Sequence, residues 1–344
     1  MKKLLKHISP LAPDDSGACS VLYELGGIVV ICDAGGCAGN VCGFDEPRWH
    51  TKRSALFSAG LRDMDAILGR DDRLVEKLVK VCGQVEGEFA AIIGTPVPAV
   101  IATDFKALGR MTEKRAGLPC ITIETDGTKL YDHGEEMTYL RVFKRFAVDK
   151  YEVKKGRLGV IGATPLNTGL CRADKLKEKL GSDRWTDIVC FGLDSGLDDI
   201  RRASECEMIL VISPSGIKTA EYLNEAFGTP YEVGFPRLYE PAEKASESMN
   251  GKRVLVVHQQ FAANELRTHF TGCEVDCATW FKLDKRYAQQ NDFFIDGEET
   301  LTEMIAERGY DVIFADPDIR RMLGGFGGKF IDFPHYAISA AMNE

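Results

Sequence analysis

The sequence predicts an α/β fold class: three Rossmann-like α/β/α domains with mostly parallel sheets around a central cleft. Three observations carry this. Short β-rich runs alternate with helical patterns almost throughout the 344 residues, as in parallel sheets covered by helices. The alternation restarts twice, after "RFAVDKYEVKKG" and after the polar "YEPAEKASESMNGK". The length exceeds one ordinary domain, and 44% hydrophobic with 28% charged residues is a globular composition. The expected units are 1–150, 151–240 and 241–344.

In the first unit, "GIVVIC", "DAILG", "EFAAIIGT" and "LPCITIE" read as strands, and "DDRLVEKLVKVCGQ" as a helix because Leu74, Leu78 and Val81 recur at helical spacing. The second unit has strand patterns in "RLGVIGA", "TDIVCFG", "EMILVIS" and "TPYEVGFP". The third has them in "KRVLVVHQ", "GCEVDCATW", "YDVIFAD" and "GKFIDFP", with helical patterns over 261–270 and 297–308. Low-complexity tracts and solenoid-type repeats are absent.

A net charge of −9 speaks against nucleic acid as a partner, which calls for a basic stripe along the phosphates. No run approaches the roughly 20 apolar residues of a membrane helix. "MKKLLKHISPLAP" lacks the apolar region of a secretory signal. A cytoplasmic protein with no membrane association is expected. In a reducing compartment its 11 cysteines are either small buried hydrophobes or thiolates used for metal or redox chemistry.

Their clustering discriminates. "IVVICDAGGCAGNVCGFDEPRW" sets Gly35, Gly36 and Cys37 at the carboxyl end of the first strand, where open parallel sheets hold ligands. Glycines there permit close backbone approach, and a cysteine opening a helix has its thiolate favoured by unpaired N–H groups. The spacing of Cys32, Cys37 and Cys42 matches neither the CxxC pairs of zinc ribbons nor the ferredoxin run, which excludes a self-contained metal loop. Cys32 continues an apolar strand and reads as core. In "VVHQQFAANELRTHF", His258, Gln259 and Gln260 end a strand and face the crevice of the third unit, so His258 and Gln259 are candidate cofactor contacts. The plainer alternative has His258 bonding at a helix start. His269 reads as structural, and Cys273 and Cys277 as core on one strand face. "GGFGGK" departs from a phosphate loop, since Phe330 stands where Ser or Thr should follow the lysine; "GVIGATPLNTG" lacks the dinucleotide spacing.

"SGACSV" followed by "CDAGGCAG" resembles the first two cluster-cysteine segments of the nitrogenase component 1 type oxidoreductases. This family includes nitrogenase molybdenum–iron protein subunits, cofactor-assembly scaffolds, dark-operative protochlorophyllide reductase subunits and a reductive cyclase. "SAGLRDMDAILGRDDRLVEKLVKV", "AAIIGTPVPAVIATDFKAL", "GLPCITIETDG", "LGVIGATPLN", "ECEMILVIS", "FGTPYEVGFP" and "GYDVIFADPDIRRML" are similar to later family segments in the same order. The family's third cysteine position falls near Pro96, which cannot ligate iron, and Thr103-Asp104 replaces most of its Gly-Asp-Asp.

The resemblance implies an iron–sulfur cluster held through Cys19 and Cys37, with Cys42 added by its proximity. Two cysteines from each chain of an isologous dimer would supply the four thiolates of a [4Fe–4S] cubane. It also implies an ATP-dependent iron–sulfur reductase of the nitrogenase iron-protein type as partner, a homodimer or a heteromer with a related subunit, and an additional metallocofactor or tetrapyrrole as the electron acceptor. Two alternatives stand beside this: a non-catalytic metallocofactor or tetrapyrrole carrier or assembly scaffold, and a small-molecule binder whose cysteines are all buried thiols.

Overall fold

Three separate sheets, parallel at every strand pair, make up the computed structural model, which describes residues 5–239 and 249–343. The first contains β1 (Ile28–Ile31), β2 (Ala55–Ser58), β3 (Ala90–Ile93) and β4 (Cys120–Ile123) in the order β2-β1-β3-β4. The second contains β5 (Lys154–Ile161), β6 (Asp187–Cys190), β7 (Cys206–Val211) and β8 (Tyr231–Val233) in the order β6-β5-β7-β8. The third contains β9 (Arg253–Val257), β10 (Glu274–Thr279), β11 (Asp292–Phe294), β12 (Val312–Ala315) and β13 (Lys329–Asp332) in the order β11-β10-β9-β12-β13.

Strands β1 and β3 are buried along their whole length, because helices cover both faces of the sheet; this is why they read as unbroken apolar runs. In each sheet the first strand lies between two later ones. The strand order therefore reverses at the carboxyl ends of β1, β5 and β9, which are the positions where doubly wound sheets open a ligand crevice.

Some expectations are corrected. "DAILG" is helical over Asp63–Leu68, and the strand beside β1 is Ala55–Ser58 instead. The Asp65 carboxylate accepts from the Arg62 N–H at 3.1 Å and Gly69 ends the helix at φ 59°, so both boundaries carry helix signals. The helix expected over 261–270 is Gln260–Arg267, started by the Gln259 side chain, whose oxygen accepts from the Phe261 N–H at 2.9 Å. Cys273 lies just before β10 rather than on it, and its thiol donates to the Met249 carbonyl. Cys277 is buried. The expected boundary at 240/241 falls outside the described residues.

The helix Tyr131–Phe146 is the axis on which the sheets meet. It crosses the helix Asp14–Leu22 at two glycines, with backbones in contact. A Cβ on Gly17 would lie 1.9 Å from the Tyr131 carbonyl oxygen, and one on Gly134 would lie 1.8 Å from that of Asp14, so only glycine fits either position. Among the described residues no helix is long and apolar enough to cross a membrane.

Candidate functional site

Beyond β1 the chain is bent by Gly35 at φ 118°. Asp33 is buried and accepts from the Ala38 N–H at 2.8 Å and from the Ser58 hydroxyl at 2.6 Å, which anchors the short helix Gly36–Asn40 to the neighbouring strand end. A π-helical turn, Val41–Asp45, follows directly, and a 3₁₀ turn spans Pro47–His50. Ser16 on the first helix donates to Asp45 at 2.6 Å. Arg48, with 0% exposure, locks the fold-back. Its guanidinium donates to Glu46 at 2.6 and 2.7 Å, to Glu24 at 2.9 Å, and to the Ser20 and Gly192 carbonyls at 2.7 Å each. Gly192 belongs to the second sheet's region, so one side chain ties the cysteine segment to the first helix and to the neighbouring sheet. Every donor is used, as a buried guanidinium requires.

This fold-back determines which thiols are reachable. Cys19 is 1% exposed, whereas Cys37 and Cys42 are half-buried. Burial, then the Glu46 carboxylate, pushes the Cys19 thiol well above its ordinary range, and Cys42 lies near enough to add to the effect. Burial and the charges of Asp15 and Asp33 push Cys37 up to about 11, while a hydrogen bond with Thr95 works the other way. Burial also raises Cys42, with help from Glu46 and Asp33. Cys37 thus lies close to Thr95, the neighbour of Pro96.

The donor set suits an iron–sulfur group in kind, with three thiols on adjacent elements at one crevice. Among the described residues no three His, Cys, Asp or Glu side chains converge to hold a metal ion, and Cys19 is covered by its own chain.

His258 and Gln259 are placed differently from the sequence expectation. Both are only 1% exposed. The Gln259 amide donates to the Ile212 carbonyl at 2.9 Å and its oxygen caps the next helix, so the third sheet's switch point is bonded onto the second sheet. His258 stacks on Phe333 with ring centroids 4.2 Å apart; its Nε2 meets the Pro334 carbonyl at 3.1 Å and its Nδ1 has no partner among the described residues. Burial pulls His258 down to about 4. A neutral, stacked ring is a packing element here.

Sequence reasoning missed the buried network that joins these elements. His335 Nδ1 accepts from the Ala337 N–H, which leaves the proton on Nε2, facing the Tyr131 hydroxyl at 3.3 Å. Tyr131 donates to Asn167 at 2.8 Å, and Asn167 donates to Glu135 at 2.8 Å. Ser215 donates to Glu135 at 2.8 Å, and Thr164 also donates to it. Loops of the second sheet thus meet on Glu135, with His335 after the third sheet joined to them through Tyr131 and Asn167; Glu135 has 0% exposure and its carboxyl is pushed up to about 8 by burial. No motif announces it; Glu135 sits in an ordinary amphipathic helix.

Beside this network a cavity of about 480 Å³ opens between the helix Tyr131–Phe146 and the carboxyl ends of the second and third sheets. His133, Glu136, Lys218, Lys282 and Arg286 line it. Glu136 pairs with Lys218 at 2.8 Å and with Lys282 at 3.2 Å across it.

Three doubly wound parallel sheets, the first followed by a thiol-bearing segment at its switch point, define the class of the fold. The family model for nitrogenase component 1 type oxidoreductases matches residues 16–249, and the chain belongs to that family. Members of the family bind iron–sulfur clusters. Two solved structures share the fold. One, titled nitrogenase Cp1 at pH 6.5, aligns at a TM-score of 0.73 with 10% identity, over 100% of this chain and 88% of that one. The other, titled nitrogenase Cp1 at pH 5, aligns at 0.69 with 14% identity, over 98% and 85%. No curated protein matches the sequence.

Proposed function

We propose that the chain is an oxidoreductase subunit that accepts electrons from an ATP-dependent iron–sulfur reductase through a [4Fe–4S] cluster and passes them to a substrate or metallocofactor in the cleft beside His133. The observation that carries this is that Cys37 and Cys42 stand half-buried just beyond β1, with the buried Cys19 near Cys42, in a member of this family. When bound, such a cluster supplies single-electron storage.

Cys37 and Cys42 are the outward thiols, with Cys19 behind them. A Cβ on Gly35, Gly36, Gly39 or Gly43 would meet nothing within 4 Å, which leaves room for the matching segment of a second chain. Phe44 and Val100, 69% and 85% exposed, supply apolar surface for an isologous contact of this kind. Two thiols per chain then make the four a cubane requires. The protein works in the cytoplasm, with units at 1–150, 151–240 and 241–344.

The carrier or scaffold reading is favoured by one specific feature: the hydroxyl and proline at Thr95 and Pro96, which deprive the site of a thiol. Anaerobic reconstitution with iron and sulfide separates the outcomes. The expected product holds about four irons per dimer and loses them in both Cys37→Ala and Cys42→Ala. Iron that binds but is never reduced by the ATP-dependent reductase supports the scaffold. A wild-type protein that takes up no iron ends the cluster reading.

A further inference from the structure

The cavity beside His133 is lined by cations whose partners narrow the chemistry of what it can hold. Glu136, on the helix Tyr131–Phe146, accepts from two ammonium groups, Lys218 of the helix Ile217–Phe227 at 2.8 Å and Lys282 after β10 at 3.2 Å. Neither ammonium has another hydrogen-bond partner among the described residues. One carboxylate thus serves two cations. Arg286 is already held by Asp284 at 2.7 Å and by Glu221. The buried Asp132 accepts from the Lys282 backbone N–H and attracts the same ammonium.

The field at this wall is positive even so. Burial, then Lys282, lowers the His133 imidazole, with Lys129 and Lys218 acting the same way and Glu136 opposing them. Pro214, Ile217, Leu283 and Phe294 supply the apolar part of the lining, and Phe294 is 57% exposed. A carboxylate shared by two ammonium groups beside an accessible cavity takes the donors that a ligand's carboxylate would need, so the two compete. The apolar lining suits a flat hydrophobic body beyond that charge.

We infer that this cavity takes a ligand with a carboxylate on a flat apolar body, that Lys218 and Lys282 hold the carboxylate, and that Glu136 is a resident competitor for both ammonium groups that sets how tightly such a ligand binds. The inference rests on the reading of this cavity as the acceptor site, and it adds the acceptor's charge and the control Glu136 exerts over it. No bond is made or broken.

Fluorescence titration of the full chain with naphthoate, and with its uncharged amide, tests it. Naphthoate is expected to bind saturably, and the amide at least about tenfold more weakly. Glu136→Gln removes a like charge beside the ligand and should tighten naphthoate about tenfold while leaving the amide unchanged. Lys282→Gln should weaken naphthoate at least about tenfold and abolish the gain when combined with Glu136→Gln. Lys218, the more exposed of the two, should matter less. If Glu136 were a structural tie alone, Glu136→Gln would lower the thermal midpoint and weaken both ligands; that result, or naphthoate affinity unchanged by the substitution, overturns the inference. So does the absence of saturable naphthoate binding in both wild type and Glu136→Gln up to about 5 mM. Iron uptake is scored separately on the same protein. Iron bound without naphthoate binding overturns this inference alone, whereas naphthoate binding in a chain that takes up no iron overturns the cluster and supports the carboxylate site.

Discussion

Replacing Arg48 with methionine tests the physical basis of the cysteine segment. Methionine keeps most of the volume and removes the charge. Glu24 retains Lys52 at 3.0 Å, but Glu46, whose side chain is 1% exposed, loses its partner, and the Ser20 and Gly192 carbonyls lose their donors. Removing one member of a fully buried pair costs about 3–5 kcal/mol, because the remaining charge stays desolvated. Orphaned carbonyls act in the same direction, without adding in full. Against a total stability of about 5–15 kcal/mol this is a large fraction. Urea denaturation of the metal-free protein should show it as a fall in the midpoint of the first transition. Native-state alkylation followed by mass spectrometry should show Cys19, sealed in the wild type, becoming modifiable as the 41–50 fold-back loosens. The double variant Arg48→Met/Glu46→Gln, with no charge left stranded, should be more stable than Arg48→Met alone. A loss below about 1 kcal/mol, with Cys19 still protected, would refute the claim that this ion pair holds the segment in place.

Two further predictions follow from the junction of the sheets. The carboxyl of Glu135 sits at about 8 in the folded chain, above its ordinary 4.5, so the folded state holds a proton that the unfolded state has released. The stabilisation is complete below about 4.5 and is lost as pH rises through 8, with a slope of at most about 1.4 kcal/mol per pH unit. Asp15 and Asp132, pushed by burial to about 7 and about 6, slope the same way, so the measurement is the difference between wild type and Glu135→Gln, whose denaturation midpoint should vary less between pH 5 and 8. Equal pH profiles would remove Glu135 as a buried acid. Gly17→Ala should destabilise by about 1–3 kcal/mol or more in thermal melts, because its methyl would press on the Tyr131 carbonyl, whereas Gly36→Ala, with open space around it, should change the melting midpoint little.

Much of the fold was legible for a simple reason. Strands such as β1 and β3 are covered on both faces, so their sequences are uniformly apolar and stand out from the amphipathic helices between them. The "DAILG" misreading shows the limit of that signal. Ile67 and Leu68 are 74% and 60% exposed, and an apolar run on a surface helix resembles a short strand when only the residue types are visible. The cysteine segment was legible as a crevice segment because glycines after an apolar run mark a strand's carboxyl end. That Cys19 is sealed was not legible, since its cover is a fold-back locked by Arg48, Glu46 and Glu24, residues that look like ordinary surface charges.

By itself the sequence determined the α/β alternation, its two restarts and the clustering of thiols after the first strand, because local hydrophobic periodicity and turn residues encode these within short windows. Only the tertiary structure decided that His258 and Gln259 are buried, that Glu135 gathers the second sheet's loops onto the central helix, and that Cys37 and Cys42 are the outward thiols. Those outcomes depend on which distant residues arrive to desolvate or bond a side chain: Ile212 for Gln259, Thr164, Asn167 and Ser215 for Glu135, the 41–50 turn for Cys19. Burial and pairing are properties of those encounters, and no short stretch of chain contains them.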